Sequence, residues 1–150
     1  MRTAKVVKKM PSMPADVAAV FRSYPSQVST CLMEVRRLIF ITAATIEGIG
    51  VLTETLKWGE PAYLTEASKS GSTIRLGRVP KQPDRCAVYF NCKTTLLDSF
   101  RAQFADTLTL AGDRAIILDP TRNLPETPLR ICLAMALTYH RAKRVMLVPG

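Results

Sequence analysis

A chain of 150 residues, 47% hydrophobic and 22% charged, carries enough apolar material for one core and lacks the length for two ordinary domains. Its composition excludes wholesale disorder, a collagen repeat and a disulfide miniprotein, and its longest uncharged apolar runs, 38–46 and 131–139, fall short of the ~20 residues that span a bilayer. Of the net charge of +9, +8 sits at the two ends, where Arg2, Lys5, Lys8, Lys9 and Arg22 face only Asp16, and Arg130, Arg141, Lys143 and Arg144 face no acid; residues 23–128 are almost balanced.

In chain order, residues 1–13 read as a basic mobile arm, followed by a single domain over 14–150. Pro11, Pro14 and Asp16 interrupt the stretch where the apolar core of an export signal would stand, so export is not expected. A short helix is expected over 15–21, and Tyr24-Pro25 then punctuates the chain. Val28, Cys31 or Leu32, Val35, Leu38 or Ile39, Thr42 and Ile46 recur at three and four residues, the signature of one helical face, with Glu34, Arg36 and Arg37 nearer its edge. Gly48 and Gly50 end that helix.

From 51 to 92 the pattern changes to alternation. Leu52, Glu54, Leu56 and Trp58 share one parity, Ile74 and Leu76 another, and Cys86, Val88 and Phe90 a third, as half-buried strands require. Residues 66–71 and 80–84 supply turn chemistry, and 68–73 reads as a flexible hairpin loop. Thr95 caps a helix with Leu97, Phe100, Phe104 and Leu108 on one face. Ala111-Gly112-Asp113 turns into a strand over 114–118, which Asp119-Pro120 stops. Thr127 and Pro128 open a last helix reaching about 144. This order predicts an α+β fold: an antiparallel sheet of about four or five strands with helices packed mainly on one face. The expected core is Val35, Leu38, Ile39, Leu56, Val88, Phe90, Phe100, Phe104, Ile117, Leu133 and Leu137.

The chemistry is sparse. Cys31, Cys86, Cys92 and Cys132 form no CxxC pair and read as reduced thiols of a cytoplasmic protein; Cys92, beside Lys93, is the one placed to have a cation nearby. His140 is the only histidine and the acids are dispersed, so no metal, cofactor or catalytic residue is expected, and no Gly-x-Ser-x-Gly is present. The segment 54–63 is the most unusual. Its Trp-Gly and Pro describe a strand that bends sharply, bringing Trp58 and Tyr63 close to Glu54 and Glu60. Such a bend can line a ligand pocket, or both aromatics can simply close the core. Opposite parities collect Thr55, Lys57, Arg75, Tyr89 and Asn91 on the other face, where Lys57, Arg75, Lys93 and Arg101 suit a carboxylate or phosphate, or form a solvated face.

The candidate ligand-binding residues are therefore Lys57, Trp58, Glu60, Tyr63, Arg75, Tyr89 and Asn91, in a non-catalytic module for a small anionic molecule. The alternative is nucleic-acid binding through Lys5, Lys8, Lys9, Arg141, Lys143 and Arg144. A metallochaperone or an enzyme ranks below both. No membrane partner is expected.

Tyr24-Pro25 before a helix bearing Leu38-Ile39, then Lys57-Trp58-Gly59-Glu60-Pro61-Ala62-Tyr63, then Val88-Tyr89-Phe90, then Leu129 and Tyr139-His140 with Lys143, resemble the YdhG-like family, a bacterial domain of unknown function. The resemblance covers about residues 23–143, and the Trp-Gly-x-Pro-x-Tyr bend is its most specific part. It implies an α+β domain with an antiparallel sheet. Some relatives carry a frataxin-like iron-chaperone label, which offers no residue motif to match here.

Overall fold

The computed structural model describes residues 10–147. Helix α1 (Ala15–Ser23) stops where Tyr24, before Pro25, takes an extended ψ of 154°, because a proline ring disfavours helical backbone in the residue preceding it. The chain restarts as α2 (Ser26–Thr45). Val28, Leu32, Val35, Leu38 and Ile39 on its inner face are at most 1% exposed. Ile46 then turns extended, and Gly48 and Gly50 take φ of 87° and 77°, a region that costs glycine little.

Strands β1 (Thr53–Lys57), β2 (Glu60–Leu64), β3 (Ile74–Val79) and β4 (Gln82–Phe90) lead into α3 (Leu96–Phe104). The hairpin of β5 (Thr109–Ala111) and β6 (Ala115–Leu118) follows, then α4 (Glu126–Leu137) and α5 (Tyr139–Leu147). The fold is α+β, with an antiparallel six-stranded sheet in the order β1-β2-β3-β4-β6-β5. The strand beyond the expected five is β5. The helical pattern through Leu108 conceals it, since α3 ends at Phe104 and Leu108 is buried in the turn that follows. Among the described residues no helix is long and apolar enough to cross a membrane.

Strand register sorts side chains between two faces. Tyr63, Ile74, Leu76, Cys86, Val88, Phe90, Ile116 and Leu118 share one parity and join the buried faces of α1 to α4 in one core. Phe90 and Phe100 meet there edge to face at 5.0 Å. Of the expected core, Leu56 and Phe104 pack against it half-buried. Ile117 belongs to the opposite parity, and Ile116 and Leu118 take the core positions instead. The other face carries a row, Thr55, Ala62, Arg75, Tyr89 and Ala115, running across β1, β2, β3, β4 and β6.

Two further connections depart from expectation. Arg36, placed at the helix edge by periodicity, is 3% exposed. Its Nε and Nη2 donate to Glu54 at 2.6 and 2.9 Å, and Nη2 also donates to the Pro11 carbonyl at 2.9 Å. Residue 11, expected in the mobile arm, is thereby held against the domain. The last helix is broken at Thr138 (φ −117°, ψ 9°). There the 68–73 loop docks rather than swinging free: Ser70 Oγ donates to the Leu137 carbonyl at 2.9 Å and the Ser72 amide to that of Ala136 at 2.8 Å. The Leu137 carbonyl is one that a helix end leaves without an intrahelical partner.

Candidate functional site

The sharp bend read from Trp58 to Tyr63 is a two-residue hairpin. Lys57 pairs with Glu60, and Trp58 and Gly59 form the turn with φ of 55° and 75°, the double positive φ of a type I′ connection. Glycine and asparagine fill such positions easily; tryptophan there is strained. The turn also separates the two aromatics. Trp58 is 89% exposed, whereas Tyr63 is 0% exposed on the core face. The Tyr63 hydroxyl donates to Glu54 Oε2 at 2.8 Å, and burial, then the Glu54 charge, push its pKa far up. Tyr63 thus closes the core and Trp58 does not, and Tyr63 is not brought to the other candidates.

Lys57, Trp58, Arg75 and Asn91 do meet. They line a groove of about 560 Å³ on the side of the Thr55–Arg75–Tyr89 row, together with Thr73, Phe90, Cys92 and Arg114. Its lining holds Lys57, Arg75 and Arg114 and no carboxylate. Arg75 is fixed from two sides, by an ion pair with Glu60 and by the Tyr89 ring, whose centroid lies 5.2 Å from the guanidinium carbon. The Tyr89 hydroxyl donates to the Arg78 carbonyl at 2.7 Å, which holds the ring in place. Glu60 and Tyr89 therefore position Arg75 instead of lining the groove; Glu60 borders an adjoining hollow with Tyr24 and Arg78. Burial raises the Glu60 pKa, and Arg75 opposes that rise.

At the far end, Arg114 Nη2 lies 3.8 Å from the Cys92 sulfur, so a cation does stand beside Cys92, supplied by the residue just before β6. Asn91 Oδ1 accepts from the Lys93 amide at 2.9 Å, an Asx turn that shapes the end of β4. Sequence reasoning missed Arg114, Thr73 and Cys92 as groove residues. Arg114 immediately precedes β6, and only the β4–β6 pairing brings it beside β4. Arg101, an anion candidate by composition, instead donates to the Gly112 carbonyl at 2.7 Å.

Of the terminal cations, Arg141, Lys143 and Arg144 do not line the groove. Arg141 donates to the Glu47 carbonyl at 2.8 Å, Lys143 lies over the Tyr139 ring at 5.5 Å, and Arg144 is exposed. Lys5, Lys8 and Lys9 lie outside the described residues. Among the described residues no group of three or more His, Cys, Asp or Glu side chains is placed to hold a metal ion. No protein-family model, curated protein or solved structure matches this chain.

Proposed function

We propose that this domain is a non-catalytic module that binds a small anionic molecule in the groove beside Trp58. The observation that carries the reading is Trp58 itself. It occupies a left-handed backbone position that disfavours it and leaves its side chain 89% exposed, so neither the turn nor the core accounts for a tryptophan there. Strain kept at a solvent-facing aromatic is a feature of binding sites. The cations beside it supply the matching chemistry: Lys57 and Arg114 for an oxyanion, Arg75 held in place by Glu60 and Tyr89, and the indole for a planar or apolar portion.

The resemblance to the YdhG-like family belongs to this reading, since its most specific segment is the hairpin that presents Trp58. So does a cytoplasmic setting, which four free cysteines fit. The lone tryptophan makes the test direct: in low-salt buffer, anions bearing phosphate or carboxylate are titrated against Trp58 emission. A saturable change supports the reading, and a flat response across both classes removes it.

A further inference from the structure

Cys31 on α2 and Cys86 on β4 are 55 residues apart in sequence, yet their sulfurs lie 3.2 Å from each other in the core. Both side chains are buried, Cys31 at 8% and Cys86 at 0% exposure, and both are free. Neither the groove nor the packing needs two thiols in contact, because alanine, valine or a single cysteine fills such space as well. We propose that Cys31 and Cys86 are a redox-responsive pair that a hydroperoxide closes into a disulfide joining α2 to β4.

The roles within the pair differ. Cys86 donates its S–H hydrogen bond to the Cys31 sulfur. That bond lowers the Cys31 pKa, while Cys86, as donor and fully buried, holds its proton more tightly. Cys31 is also the more exposed of the two, so it is the attacking thiolate. Its sulfur displaces hydroxide from the O–O bond of the peroxide and becomes a sulfenic acid. The Cys86 sulfur then attacks Cys31; the S–O bond breaks, and the departing hydroxide takes the Cys86 proton as water. Two thiols lose two electrons and two protons in all, and one peroxide becomes two waters. Closing the sulfurs to a bond of about 2.05 Å shortens their 3.2 Å separation by about 1 Å.

The test uses the full chain carrying Cys92→Ser, which removes the exposed thiol and its intermolecular disulfides. The folded protein is treated with stoichiometric hydrogen peroxide, quenched, alkylated in denaturant and mapped by peptide mass spectrometry. The expected result is a linked Cys31–Cys86 peptide pair, an alkylated Cys132, and a thermal midpoint that rises on oxidation and returns with dithiothreitol. A Cys86→Ser variant, which keeps an O–H donor toward Cys31 but cannot close the disulfide, is expected to stop at the Cys31 sulfenic acid, trapped by dimedone. The proposal is overturned if Cys31 and Cys86 both remain alkylatable after oxidation, if the linkage forms only when the protein is unfolded first, or if Cys132 is the partner instead.

Discussion

Gly77 on β3 lies directly beneath the carboxylate of Glu60 on β2, so closely that a Cβ at position 77 would collide with it. The vacancy of a side chain at Gly77 lets Glu60 lie flat and reach Arg75. Gly77→Ala is therefore expected to push the flexible Glu60 carboxylate aside, free the Arg75 guanidinium and cost about 1 kcal/mol or less. In a Glu60→Ala background the same substitution is expected to cost well under half as much, which a double-mutant cycle in urea measures.

The Arg36–Glu54 pair bears on stability more than on binding. Their side chains are 4% and 5% exposed, so removing one partner leaves a buried, uncompensated charge. Glu54→Ala is expected to cost ~3–5 kcal/mol, and Tyr63→Phe, which deletes one hydrogen bond to the same carboxylate, ~1 kcal/mol. Denaturant midpoints at constant slope check both values.

Alkaline stability follows from buried phenols. Burial and then Glu60 push the Tyr24 pKa from 10.0 up to about 12, and Tyr63 is raised further. Above pH 10 the unfolded tyrosines ionise while the folded ones keep their protons, so ionisation favours the unfolded chain. Their stabilising effect is complete below pH 10 and is lost as pH rises from there toward 12. The thermal midpoint is expected to fall over that window, and Tyr63→Phe to flatten the fall; a melting series from about pH 8 to 11 shows the difference.

How far the sequence could be read depended on whether a feature was local. The three- and four-residue recurrence along α2 and the parity of Ile74, Leu76, Cys86, Val88 and Phe90 are nearest-neighbour patterns, and they gave the helix, the strands and the opposite-parity row of Thr55, Arg75 and Tyr89. The Trp58-Gly59 turn escaped because tryptophan replaces the asparagine or aspartate that marks such hairpins, and with it went the separation of Trp58 from Tyr63. The break at Thr138 lies in a run whose apolar residues cover most of a helix, so periodicity passed over it. Arg114 in the groove, Arg36 against Glu54 and Cys31 against Cys86 are long-range meetings set by the tertiary fold, and no spacing encodes them.

Trp58 should separate binding from folding. Asparagine tolerates positive φ, so Trp58→Asn is expected to leave stability unchanged or raise it by about 0.5–1 kcal/mol while weakening the binding of an anion that carries a planar portion about tenfold. Chemical denaturation and titration calorimetry on the same variant read the two effects.

The most direct test of the groove as an anion site is titration calorimetry of the intact protein with inorganic phosphate, pyrophosphate, citrate and adenosine monophosphate, in wild type and in Lys57→Ala and Arg114→Ala variants. At least one anion is expected to bind saturably below ~1 mM, to weaken at least tenfold in each variant, and to weaken as salt rises and screens the exposed cations. No saturable heat up to about 10 mM with any of them, or binding that survives loss of both Lys57 and Arg114, would contradict it.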